Sequence, residues 1–132
     1  MTYTDEDFIA AMRKAVAERG EDFVYPDEWR KASEDGESCM YVHEGKPACL
    51  IGLAVYIATG ELVPDAYEGA MADEVIGDRM PGVSDRARKA AFEAQATQDD
   101  GFTWGEALRE FEMLLLYGVG CLCGCRETEE EK

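Results

Sequence analysis

Basic residues are scarce in this chain of 132 residues. Thirteen Lys and Arg face 29 Asp and Glu, a formal net charge of −16. Such a surface repels free nucleic acid and anionic membranes, so direct binding to either is not expected. There is also a single histidine, which leaves little material for histidine-based catalysis or a histidine-rich metal site. No apolar run is long enough to cross a bilayer: the longest nearly uncharged one, Ala48 to Thr59, is far short of about 20 residues. The start, "MTYTDEDF", lacks a basic stretch followed by an apolar one, so no secretory leader is expected. Neither standard phosphate-cradling glycine loop occurs. The five cysteines are an odd number, which does not imply a closed disulfide framework. With no export signal, reduced thiols in a cytoplasmic setting are the expectation.

What is present fits one domain over residues 1–125, followed by a charged, mobile tail over 126–132. Hydrophobic residues make up 46% of the chain, enough for a core. Thr4 and Asp7 form a capping box, with Tyr3 and Phe8 placed as a hydrophobic staple. Phe8, Met12, Ala15 and Val16 recur at helical spacing, and Gly20 is placed to end the helix in a left-handed turn. "DFVYP" predicts a strand stopped by Pro26. Residues 27–38 read as a polar loop.

"CMYVHEGKPACLIG", residues 39–52, gathers two cysteines and the histidine within a short span. Cys39, Tyr41 and His43 alternate with Met40 and Val42 as in a strand. Glu44 to Pro47 is turn chemistry, and Pro47 also suits the first turn of a helix. "ACLIGLAVYIATG" is apolar nearly all round, as a helix buried on most sides would be, with Cys49 in its first turn facing the core. The stretch reads as strand, turn and central helix, not as a reactive site. A Cys39–His43 nucleophilic pair would need contact within about 3 Å, and residues four apart in a strand are too distant.

The rest predicts helices. Asp65 is placed as a cap for a helix presenting Tyr67, Met71 and Val75 and ending at Gly77. Ser84 caps the next, in which Ala87, Ala90, Ala91 and Ala94 form a smooth stripe that lets another helix approach closely. The "RARK" cluster, Arg86 to Lys89, reads as a solvated face of that helix. Thr103 and Glu106 form a second capping box, followed by a core face of Trp104, Ala107, Leu108, Phe111, Leu114 and Leu115; Gly118 and Gly120 stop this last helix. The fold class is therefore α+β: mostly helical, with a two- or three-stranded β element on a buried central helix.

Two surfaces are candidates for function. Residues 47–78 contain Glu61, Asp65, Glu68, Asp73, Glu74 and Asp78 and no Lys or Arg, and residues 90–125 contain six acids and only Arg109. A helical face with regularly placed carboxylates can imitate the phosphate rows of DNA, or simply keep the chain soluble. Trp29, among Asp27, Glu28, Arg30 and Lys31, is either an interface anchor or folded back to cap the core. The protein-binding candidates are Trp29, Glu61, Asp65, Glu68, Asp73 and Glu74. No catalytic residue and no cofactor is assigned. An alternative is a metal-binding module, in which Cys121, Cys123 and Cys125 join one of Cys39, His43 or Cys49 to complete four ligands. The single-residue spacing of these cysteines departs from the usual paired spacing.

Together, "DFVYP", "CMYVHEGKPACLIG" and "AQATQDDGFTWGEAL" resemble small uncharacterised proteins of actinobacterial tailed phages and related mobile elements, over roughly residues 22–60 and 94–115. The resemblance implies a phage-derived protein in the host cytoplasm and carries no catalytic residues. The expected function is accessory and non-enzymatic: binding of a host or phage protein with a basic surface through the acidic helical face.

Overall fold

The computed structural model describes residues 2–26, 41–67 and 70–117. Helix α1, Asp5–Arg19, starts at the expected capping box: the Thr4 N–H donates to Asp7 Oδ2 at 3.0 Å and the Asp7 N–H to Thr4 Oγ1 at 3.1 Å. Phe8, Ala11, Met12, Ala15 and Val16 form its buried face. Gly20 ends it at φ +102° and ψ 144°, a positive-φ conformation outside the left-handed turn expected for it.

The expected strand at Phe23–Tyr25 does not form; the segment is irregular. The Phe23 carbonyl, and that of Glu21 just before the segment, are used elsewhere. Phe23 O accepts the Trp104 N–H at 2.8 Å and Glu21 O accepts the Gly105 N–H at 2.9 Å. Both donors belong to the first turn of the last helix, where N–H groups have no partner within the helix. Serving that helix end leaves these carbonyls unavailable to a sheet.

Among the described residues the sheet is one antiparallel pair. β1, Val42–His43, faces β2, Lys46–Pro47, with Val42 opposite Pro47 and His43 opposite Lys46. Glu44 and Gly45 make the connection with φ of +53° and +78°, the positive values that a two-residue hairpin turn needs to match strand twist. Pro47 lies in β2 and not in a helical turn. The pairing runs one step further, since the Ala48 N–H donates to Tyr41 O at 2.9 Å, so the helix starts only beyond it.

Helix α2, Leu50–Thr59, is the central helix, with Leu50 to Val55 all buried. Cys49 is its N-cap and Gly60 closes it in the left-handed region. A short 3-10 turn at Asp65–Tyr67 precedes α3, Ala72–Arg79. This departs from the expected helix at both ends. The N-cap is Met71, because Asp65 belongs to the 3-10 turn and the chain turns again as the Ala70 N–H bonds Tyr67 O. Gly77 sits inside the helix instead of ending it. A Cβ there would lie 2.7 Å from Arg88 Nη1, so this glycine leaves room for the end of the Arg88 side chain.

Helix α4, Asp85–Asp99, is capped by Ser84, whose Oγ accepts the Ala87 N–H at 3.1 Å. Asp5 of α1 in turn accepts the Ser84 N–H at 2.8 Å and its hydroxyl at 2.7 Å, joining two helix starts. The alanine stripe is buried as expected. Arg88 departs from a fully solvated face: it is half-buried against Gly77 and paired with Asp85. Helix α5, Trp104–Glu112, begins at the Thr103–Glu106 capping box and continues as a π-helical turn, Met113–Tyr117. Trp104, Ala107, Phe111 and Leu115 are buried, while Leu108 and Leu114 are half-buried. The end of this segment at Gly118 and Gly120 and the 126–132 tail lie outside the described residues.

Mostly helical α+β is therefore the architecture, with the hairpin resting on α2. The described helices share one core cluster. Phe8 meets Phe111 edge-on at 5.4 Å, and Phe23 meets Trp104 at 4.8 Å, geometries favoured by aromatic quadrupoles. Arg19 links three elements. Its guanidinium donates to Ala48 O at 2.5 Å and to Pro47 O, and lies 5.3 Å from the Phe23 ring centre and 5.0 Å from that of Trp104. Burial lowers its pKa, but from so high a value that an arginine stays charged. Among the described residues no helix is long and apolar enough to cross a membrane.

Candidate functional site

Glu61 follows the end of α2 and accepts a 3.0 Å bond from Arg79 Nη2. The absence of basic residues from 47–78 therefore does not carry over into space: the first cation beyond that stretch folds back onto its first acid. Asp78 accepts the Tyr67 hydroxyl at 2.8 Å, and this hydrogen bond raises the phenol pKa. Asp73 and Glu74 occupy the first turn of α3, where the helix dipole favours negative charge. Trp29, Glu68 and the Asp65 side chain lie outside the described residues, as do Cys39, Cys121, Cys123 and Cys125.

Asp73 does take part in a recognisable surface feature. A groove of about 290 Å³ runs between the start of α3 and the middle of α4, lined by Met71, Asp73, Lys89, Phe92 and Glu93. Met71 is 59% exposed and Phe92 38%. Met71 stands at the helix N-cap without making a side-chain capping bond. Phe92 follows directly after the buried pair Ala90 and Ala91 but is itself exposed. Glu110 has its pKa raised, first by partial burial and then by the nearby charge of Glu93. Phe92 and Glu93 were not picked out from sequence. The available signal was an aromatic residue falling off the alanine stripe of α4.

The interior around the central helix is polar in one place. The Gly52 N–H donates to Cys49 Sγ at 3.4 Å, and the thiol donates to Gln95 Oε1 at 3.4 Å. Gln95 Nε2 donates to the Tyr41 hydroxyl at 3.3 Å, which donates to Ala70 O at 2.6 Å. Gln98 Oε1 accepts the Leu50 N–H at 2.9 Å, and its Nε2 donates to Asp99 Oδ1 at 2.9 Å. His43 lies on the hairpin with Nε2 3.6 Å from Glu44 Oε2. These bonds tie hairpin, α2 and α4 together by occupying their polar groups. Among the described residues there is no group of three or more His, Cys, Asp or Glu that could hold a metal ion. Sequence reasoning missed Gln95 and Gln98. Their spacing was the signal: each lies four positions after a stripe alanine, Ala91 and Ala94, so both continue the buried face.

No protein-family model matches this chain, and neither a curated protein nor a solved structure matches it.

Proposed function

We propose that this chain is a non-enzymatic accessory protein of the tailed-phage kind. In this reading it works in the host cytoplasm by binding a host or phage protein with a basic surface. The contact is made by the acidic helical face, which either imitates the charge of DNA or occupies a regulatory surface. The observation that carries the reading is the charge imbalance of −16, together with the carboxylates of Asp73, Glu93 and Glu110 around α3, α4 and α5. Complementary charge steers encounter and excludes wrong partners more than it sets affinity. The phage setting rests on the three sequence blocks named above.

The test is capture of partners from actinobacterial lysate by the tagged chain over a range of salt. Raising ionic strength shortens the screening length from about 10 Å at 0.1 M to about 3 Å at 1 M. A specific partner with a basic surface, released as salt rises, is the expected result. Capture that ignores ionic strength would rule the reading out.

A further inference from the structure

We propose that the groove between α3 and α4 seats a basic peptide segment that inserts one bulky apolar side chain between Met71 and Phe92. This deepens the acidic-surface reading and rests on it. Single exposed apolar residues are ordinary; here Met71 and Phe92 line the same groove, beside carboxylates. Met71 is unbranched and polarisable, so it adapts to an incoming side chain; Phe92 adds a rigid aromatic ring to the same lining. The flanks define the rest of the occupant. Asp73 and Glu93 line the groove with Lys89 as the cation among them. Glu110 adds a third carboxylate close enough to Glu93 for their charges to repel. An inserted cation relieves that repulsion, whereas an acidic or neutral segment does not. A second copy of the chain is disfavoured, since it would bring the same carboxylates and another sixteen negative charges. Nucleic acid is disfavoured by the same sign of charge.

The probes are two fluorescein-labelled dodecapeptides built of Lys, Arg and Ser, identical except for a central Leu in one and a central Ser in the other. Fluorescence anisotropy with the full chain should show the Leu peptide binding about tenfold more tightly, the effect of burying one leucine side chain. Met71→Ser with Phe92→Ser should bring the two peptides to equal affinity. Both replaced side chains are exposed, so circular dichroism should be unchanged. Asp73→Asn with Glu93→Gln should weaken both peptides. Methyl NMR of the wild-type chain gives a readout free of variants: the Met71 methyl signal should shift most on adding the Leu peptide. Equal binding of both peptides, full retention of the Leu preference in the Met71/Phe92 variant, or shifts centred elsewhere would overturn the groove while leaving the acidic surface standing. Failure of both peptides to bind at low salt would overturn the groove and the acidic-surface reading together.

Discussion

The side-chain carbonyl of Gln98, fully buried on α4, accepts the main-chain N–H of Leu50 at 2.9 Å, across 48 residues of sequence. Leu50 opens the central helix, so its N–H has no acceptor within that helix. The Cys49 thiol caps the Gly52 N–H, and the Leu50 N–H is met by a glutamine from another helix.

Gln98→Leu should therefore strand a buried donor. The expected loss is about 1–3 kcal/mol, the desolvation penalty of an unpaired polar group. Urea unfolding should show a lower midpoint with an unchanged slope, since the surface exposed on unfolding is the same.

Gly52 sets the distance between α2 and the hairpin. A Cβ at that position would lie 2.3 Å from Tyr41 O, and main-chain oxygen has nowhere to rotate. Gly52→Ala should destabilise by roughly 1–3 kcal/mol despite the higher helix propensity of alanine, because overpacking outweighs it. A fall in the thermal midpoint checks this; a rise would mean the hairpin yields freely.

Cys49 is fully buried, and thiol chemistry needs access as well as thiolate. Iodoacetamide treatment followed by digestion and mass spectrometry should leave the Cys49 peptide unmodified in buffer and modified in urea. Modification in the folded chain at the rate of an exposed thiol would contradict the burial described.

Glu110 carries a raised pKa, from partial burial first and from Glu93 second. The folded chain thus holds this proton to a higher pH than the unfolded chain does. The stabilising contribution is complete below the ordinary glutamate pKa and is lost as pH rises through the raised value. Glu110→Gln should therefore be more stable than the parent near neutral pH, with the gap closing on acidification below the ordinary glutamate range. Denaturation midpoints taken across that range measure it.

Much of the scaffold was legible in the chain itself, because its signals are local. Thr4 with Asp7 and Thr103 with Glu106 place two helix starts through bonds spanning three residues. The apolar run from Leu50 to Val55 announces a buried helix by composition alone. Segments whose partners are remote read differently. "DFVYP" has strand composition, yet its Phe23 carbonyl, with that of Glu21 just before it, takes up N–H groups at the start of α5. Gly77 has the look of a stop, yet it makes room for Arg88. The candidate surface was legible only as charge: Asp73 was picked out, but Phe92 and Glu93 gain meaning only when α4 lies beside Met71, and Glu61 loses its isolation once Arg79 reaches it.

Sequence by itself determined where α1, α4 and α5 begin, the buried faces of those helices, and the excess of negative charge, since each depends on residues a few positions apart. Tertiary structure alone decided which carboxylates stand together, which are neutralised, and which buried donors are met. Electrostatic and hydrogen-bond energies depend on distance in space, and packing brings residues as far apart as Leu50 and Gln98 into contact.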